Sequence, residues 1–215
     1  MLKYQIVPVT HYQQNCSLVW CSDTNAAAVI DPGGDIDSIL SAAKANQVNI
    51  QHIWLTHGHL DHVGGALALS KELQLDIIGP HKGDQFWLAG IPQQCAMMGF
   101  PAHKAFEPNR WLNEGDTLSL GKLSFQVLHC PGHTPGHLVF FEADSKLAFV
   151  GDVLFAGSVG RTDFPQGNSQ QLVESIRGKL WPLGDDVQFV PGHGPMSNFG
   201  HERKTNPFVS DSRFG

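Results

Sequence analysis

The sequence predicts an α/β sandwich, with helices outside two sheets. Three observations lead there. Strand-like apolar segments fall into two groups, one in the N-terminal third and one after about residue 116, each mixed with helical segments. Four of those strands run straight into loops that carry His or Asp. The 215 residues suit one domain or at most two small ones. No composition break, linker or repeat divides them, so a single domain over 1–215 is expected. Periodicity alone leaves the topology open.

Taken in order, the first strands are expected near 3–9, 15–20 and 26–31. The third runs into Asp31-Pro32-Gly33-Gly34, a turn by residue type. Residues 35–46 read as a helix, because Ile36, Ile39, Leu40 and Ala43 recur at helical spacing. Gln51 to Leu55 reads as a short strand. Gly64 to Leu73 reads as a second helix, with Leu67, Ala68 and Leu69 towards its core side. Residues 76–78 form a further short strand. From about 80 to 112, Pro and Gly interrupt the pattern and only some helix is expected. Strands return at about 117–120, 123–129, 137–142 and 146–151. A helix near 168–180, a strand at 186–190 and a short polar tail with a little helix complete the chain.

Composition excludes several classes. Hydrophobic residues make up 41% without local bias, as in an ordered globular protein. Fourteen Lys and Arg against 20 Asp and Glu give a net charge of −6, and the sole basic cluster is Arg203-Lys204. That balance argues against a nucleic-acid partner. Met1 to Pro8 alternates like a strand and lacks a cationic-then-apolar leader. No apolar run approaches the roughly 18 residues of a membrane helix. Cys16, Cys21, Cys95 and Cys130 form no C-x-x-C pair. They fit a reducing cytoplasm, and a cytoplasmic protein with no membrane partner is expected.

Histidine is the unusual residue, with 12 copies, mostly in short clusters. His52 to Leu55 leads into Thr56-His57-Gly58-His59-Leu60-Asp61-His62. Phe125 to Leu128 leads into His129-Cys130-Pro131-Gly132-His133. Leu147 to Val150 leads into Gly151-Asp152, and Val187 to Val190 into Pro191-Gly192-His193. In α/β sheets, sites collect outside the carboxyl ends of strands, so four loops can aim at one point. The first cluster is too dense for one ion. A catalytic zinc takes about three protein ligands and keeps a position open. His57, His59, Asp61, His62, His133, Asp152 and His193 therefore fit two divalent metals with one carboxylate bridging. Imidazole and carboxylate suit zinc first, with iron and manganese also compatible.

At these residues the sequence closely resembles the metallo-β-lactamase superfamily, over about residues 2–200. Thr56 to His62 looks like its hallmark motif, and His133, Asp152 and His193 follow in the expected order. Pro131-Gly132-His133-Thr134-Pro135-Gly136-His137 and Gly151-Asp152-Val153-Leu154-Phe155 resemble the second and third motifs of its glyoxalase II group of thiolester hydrolases. The resemblance implies a four-layer αββα sandwich with a dimetal site at one edge. It puts His57, His59 and His133 on one metal, Asp61, His62 and His193 on the other, and Asp152 between them. It also implies a thiolester substrate of the S-lactoylglutathione kind. Common metallo-β-lactamases have a cysteine where this chain has Asp152, which argues against antibiotic hydrolysis. Full-length glyoxalase II adds a C-terminal helical domain that helps grip glutathione. Only 22 residues follow His193, so no such domain is expected. That enzyme also has a lysine and a tyrosine where Gly160-Arg161-Thr162-Asp163-Phe164 stands. This stretch is similar to the persulfide dioxygenases of the superfamily, which use one iron and supply the alternative reading. A non-catalytic metal-binding protein is a third.

The expected mechanism is attack of a metal-bridging hydroxide on a polarised carbonyl. A thiolate leaving group, with a pKa near about 8.5, needs little protonation. Asp61 and Asp152 are the catalytic candidates, Asp61 orienting the hydroxide or taking its proton. Arg161 is the candidate for a substrate carboxylate, against an ordinary salt bridge. His137 reads either as a partner that fixes a ligand or as a structural histidine. Asp31 reads first as an Asx-turn residue, and otherwise as a brace for the metal loops. Cys130 reads as a small buried residue. Trp87, Phe86, Met97 and Met98 read as core before pocket lining. His129 is set aside, and His201, Glu202, Arg203 and Asn206 are given little weight as a tail packed near the site.

Overall fold

The computed structural model describes residues 1–214. Strands β1 (Leu2–Val9), β2 (Gln14–Cys21), β3 (Ala26–Ile30), β4 (Asn49–Trp54) and β5 (Ile77–Ile78) lie side by side in that order in one sheet. The sheet is antiparallel as far as β3 and parallel beyond it. Strands β6 (Thr117–Leu120), β7 (Leu123–His129), β8 (Leu138–Glu142) and β9 (Leu147–Gly151) belong to a second sheet. A small hairpin, β10 (Leu154–Phe155) and β11 (Ser158–Val159), stands apart. Strands β12 (Gln188–Pro191) and β13 (Ser197–Asn198) complete the second sheet, in the order β13-β12-β9-β8-β7-β6.

Helices α1 (Ile36–Ala45), α2 (Leu60–Val63), α3 (Ala66–Leu73), α4 (Gln85–Ala89) and α5 (Ile91–Met98) precede the second sheet. Helices α6 (Ser169–Ser175), α7 (Phe199–Thr205) and α8 (Asp211–Phe214) follow or interrupt it. The core has three layers. Between the sheets lie Val19, Trp54, Phe125, Phe140 and Phe149, with Trp54 edge-on to Phe125 at 5.1 Å between ring centres. Outside the first sheet, Leu18, Val29 and Ile53 meet Ile39, Leu69 and Ile91 of α1, α3 and α5. Outside the second, Val139, Val150 and Phe189 meet Leu172, Ile176 and Phe199. The layers are thus helix, sheet, sheet, helix, as expected. Burying one apolar face of each sheet against the other and one against helices accounts for the uniformly buried β3, β8 and β9.

Several details differ from the sequence reading. Ala66 and Leu69 face the core in α3, while Leu67 is half-buried and Ala68 exposed. Three consecutive residues span roughly 200° of a helix, so they cannot share one face. The first metal loop continues into α2, a separate turn of helix. The helix near 168–180 is α6 continued by a wider turn over Ile176–Leu180. The interrupted segment after residue 80 holds α4 and α5, with Pro92 in the first turn of α5, where its missing N–H costs nothing. No helix of the described residues is long and apolar enough to cross a membrane.

Strand direction gathers the site. β12 runs parallel to β9, and β8 runs antiparallel to both β9 and β7. β7, β9 and β12 therefore point the same way, and their following loops emerge at one edge.

Candidate metal centre

The loop after β4 and the first turn of α2 bring His57, His59, Asp61 and His62 inward. All four are buried. His133 follows β7, Asp152 follows β9 and His193 follows β12. His133 and Asp152 are buried, and His193 is half-buried. The donor atoms of His57, His59 and His133 lie within 4.8 Å of one another, and so do those of Asp61, His62 and His193. Asp152 sits between the two groups. Its Oδ1 is 3.4 Å from His62 Nε2, and its Oδ2 is 3.5 Å from His133 Nε2 and 3.9 Å from His193 Nε2. Asp61 Oδ2 is 3.1 Å from His193 Nε2 and 3.7 Å from His62 Nε2. All seven residues named from the sequence converge.

Hydrogen bonds fix which nitrogen faces inward in four of the five rings. The Thr56 hydroxyl donates to Asp31 Oδ2 (2.6 Å) and lies 3.0 Å from His57 Nδ1. Its one proton is spent on Asp31, so it accepts from His57 Nδ1–H and leaves Nε2 as a lone pair. His62 Nδ1 donates to Asp31 Oδ2 (2.9 Å), His133 Nδ1 to the Arg161 carbonyl (2.7 Å) and His193 Nδ1 to the Tyr12 carbonyl (3.3 Å). Each turns Nε2 towards the centre. Pinning the outer ring nitrogen sets tautomer and orientation for metal binding. His57 Nε2, His62 Nε2 and Asp152 Oδ1 are buried with no hydrogen-bond partner. A buried acceptor left bare costs about 1–3 kcal/mol. His59 Nδ1 and His133 Nε2 approach to 2.9 Å. The residues present fit a pair of cations: imidazole nitrogens and carboxylate oxygens crowd inward at separations of 2.9 to 3.9 Å, and His57 Nε2, His62 Nε2 and Asp152 Oδ1 have no other partner.

Burial first, then neighbouring imidazoles, keeps His57 neutral and lowers His59 to about 3. Burial likewise lowers His133, against Asp152. His62 goes the other way. Burial disfavours its charge, but Asp152 and Asp61 outweigh burial and hold its pKa well above the usual value. Burial also opposes ionisation of Asp61 and Asp152; His62 chiefly overcomes it and holds both below the carboxylate range. The centre is built around positive charge. Gly192 permits this density, since a Cβ there would fall 2.1 Å from Asp152 Oδ1 and 2.6 Å from His62 Cε1.

A third cluster, Asp31 with His57 and His62, lies behind the first two. Its polar atoms bond one another, so it is a brace. Asp31 accepts from Thr56 N (2.7 Å), Thr56 Oγ1 and His62 Nδ1 and takes a left-handed φ of 54°. The Asx-turn reading of Asp31 is therefore corrected: its carboxylate is spent on the metal loops. Asp84 was not foreseen. Buried at the start of α4, it accepts from Gly58 N (2.8 Å), Thr134 Oγ1 (2.8 Å) and Gly136 N (2.5 Å). It joins the first metal loop to the His133 loop, and burial raises its pKa to about 6 despite those donors. Its signal was Lys82-Gly83-Asp84-Gln85, a helix-start pattern hidden in the interrupted segment.

The outer rim is aromatic and half-buried. Trp87 and Phe164 meet His59 edge-on at 4.4 and 4.8 Å. Trp87 thus lines the site, Phe86 lies tilted beside it at 5.0 Å, Met98 is half-buried and Met97 is 86% exposed. Arg161 lies over Phe164 (4.6 Å) and gives its Nε and Nη2 to Asp163 (3.0 and 2.8 Å). The ordinary salt bridge is thus present, leaving the Nη1 edge of Arg161 for another partner. Cys130 is buried, and burial pushes its thiol up to about 12, so it is inert. Glu202 accepts from Gly157 N, Ser197 Oγ and Asn206 Nδ2, so the tail does hold the β10–β11 hairpin that follows Asp152.

An αββα sandwich with a His and Asp centre at its strand ends defines a class of metal-dependent proteins, and the metallo-β-lactamase superfamily model matches residues 9–193. The chain belongs to the metallo-β-lactamase superfamily. The hydroxyacylglutathione hydrolase GloC of Haemophilus influenzae is 46% identical, over 97% of this chain and 99% of that protein. Among solved structures, TTHA1623 in a di-iron-bound form superposes with a TM-score of 0.87 at 35% identity, covering 95% of this chain and 100% of that one. The BLEG-1 B3 metallo-β-lactamase also reaches 0.87, at 32% identity, covering 97% and 99%. Fold and cluster together indicate a binuclear metal site.

Proposed function

We propose that this protein is a metal-dependent thiolester hydrolase of the hydroxyacylglutathione type, acting on S-lactoylglutathione or close relatives. The observation that carries the reading is the division of the Asp152 carboxylate, one oxygen towards His62 and the other towards His133 and His193. The similarity to the Haemophilus hydroxyacylglutathione hydrolase supports the substrate class. In this reading His57, His59 and His133 would hold one cation and Asp61, His62 and His193 the other, with Asp152 placed to serve both. Zinc is the proposed metal, and the di-iron neighbour makes iron the first competitor. When bound, such a pair supplies a water acidified towards neutral pH and a Lewis acid for the carbonyl.

The chain's own residues do the rest. Asp61, ionised and with Oδ2 3.1 Å from His193 Nε2, is placed to orient the attacking water beside His62 and His193. The departing thiol has a pKa near about 8.5 and leaves as thiolate without a dedicated acid. Trp87 and Phe164 exclude solvent on the His59 side, and Arg161 offers its spare Nη1 edge to a carboxylate of the thiol half. The substrate is a small molecule rather than nucleic acid or membrane, and the four free, buried cysteines fit a cytoplasmic setting.

The test is turnover of S-lactoylglutathione against a lactone and a β-lactam, with metal content measured on the same sample. Two metals per chain and preferential anaerobic thiolester hydrolysis are expected. One iron with oxygen uptake, or a filled site with no thiolester turnover, would overturn the proposal.

A further inference from the structure

His137 lies where three metal loops cross, yet it carries no lone pair towards the centre. Its carbonyl accepts from Cys130 N (2.8 Å), on the His133 loop, and the next residue's N–H, at Leu138, donates to the Thr56 carbonyl (2.8 Å), beside His57. Its ring is fully buried and stacks on His57, with centroids 4.5 Å apart and planes 18° apart. Its Nε2 accepts the backbone N–H of Asp152 at 3.0 Å. Accepting at Nε2 puts the ring proton on Nδ1, and Nδ1 is buried with no partner. The ring is therefore a single tautomer with a dead end on its far side. It can relay no proton, and it cannot reach a cation.

The backbone at Gly151 is shaped around this ring. Gly151 has φ +47°, and a Cβ there would lie 2.7 Å from His137 Cε1 and 2.8 Å from its Nε2. A side chain at 151 would push the ring away from the Asp152 amide. A bare Nδ1–H is tolerated on one edge so that the opposite edge can hold one backbone donor.

We propose that His137 is a positioning residue for the carboxylate between the two donor groups. It fixes the Asp152 backbone, and stacking on His57 ties that backbone to the first metal loop, so that one oxygen of Asp152 faces His62 and the other faces His133 and, further off, His193. The inference rests on the dimetal reading above and adds to it the residue that sets the bridge.

Two substitutions separate the acceptor from the ring. His137→Phe keeps volume and stacking but loses the acceptor. His137→Gln keeps an acceptor, Oε1, near the position of Nε2. Each is loaded with zinc or cobalt, and the readouts are metal content after limited chelation, the cobalt electronic spectrum, and the rise in Tm on adding metal to metal-free protein. For His137→Phe, the second metal is expected to be retained roughly 10–100-fold more weakly, with kcat falling alongside and KM nearly constant. His137→Gln is expected to recover most of both. A merely structural role predicts instead that both variants lower the metal-free Tm while the metal-induced rise stays as in wild type. That pattern, or a Phe variant with wild-type metal retention and spectrum, would overturn the assignment of His137 alone. Wild-type protein that never binds two metals would sink the dimetal reading and this inference together.

Discussion

The two halves of the molecule supply the centre in opposite ways. The first sheet delivers His57, His59, Asp61 and His62 from one loop and one turn of helix behind β4. The second delivers His133, Asp152 and His193 singly, from the ends of β7, β9 and β12. The first supply is local, fixed by a few backbone dihedrals and by Asp31. The second exists only once distant strands have paired in register. Neither half holds a complete set: each triad draws on both sheets, and Asp152 approaches ligands from both. The donors are cheap to provide locally, but their division between two cations depends on long-range assembly.

The sharpest way to break this arrangement is at the junction. Asp152→Ala should lower both metal content and kcat, and by more than the roughly 10–100-fold typical of residues that merely orient a ligand. Metal analysis and thiolester turnover on one preparation check it. Full activity with two metals would mean that the halves do not meet through Asp152. Within the local half, Asp31→Ala strips the acceptor from His62 Nδ1 and from Thr56. A loss of about 10–100-fold in metal affinity is expected, measured by chelator competition, and the His62-side cation should weaken first.

The same contrast explains what could be read from the sequence. His57 to His62 announce themselves because the signal lies within one loop. His133, Asp152 and His193 were legible only because each follows an apolar strand, so that strand ends stood in for spatial proximity. Layer order followed from the grouping of strands. Asp84 was hidden because its partners, Gly58, Thr134 and Gly136, are backbone or small groups far along the chain, and nothing in its neighbourhood advertises burial. Leu67 and Ala68 were misplaced because apolarity does not say which way a helix turns. Asp31 was misread because a carboxylate at a Pro-Gly turn has a local explanation that its left-handed backbone and its contacts override.

Asp84 offers a smaller effect that tests the seam between the halves. Asp84→Asn replaces an acceptor by an amide that must turn one N–H towards donors from Gly58, Thr134 or Gly136. A loss of about 1–3 kcal/mol is expected in urea unfolding of the metal-free protein. The pH dependence has a definite sign. The folded pKa of about 6 lies above the ordinary carboxyl value of 3.8, so the contribution is fully present below the unfolded pKa and is lost as pH rises through about 6. The stability gap between wild type and variant should therefore narrow between pH 4 and 6, in the range set by those two values. A gap that widens with pH would show that the three donors, rather than burial, govern this carboxyl.

The smallest expected effect lies outside both halves, on the rim. Arg161 is exposed, and its guanidinium is already paired with Asp163 and laid over Phe164. Exposed pairs of this kind contribute little to stability, so Arg161→Ala should leave Tm unchanged. Its carbonyl, not its side chain, braces His133, so metal content should also hold. If the free Nη1 edge meets a carboxylate of the thiol half, KM for S-lactoylglutathione should rise several-fold at constant kcat. A thiolester of an uncharged thiol should show no change. Asp163→Asn sharpens the comparison, because releasing the whole fork of Arg161 should lower KM for the charged substrate alone. Equal KM for both thiolesters in wild type and both variants would place substrate recognition elsewhere on the aromatic rim, with Trp87 and Phe164 as the next residues to change.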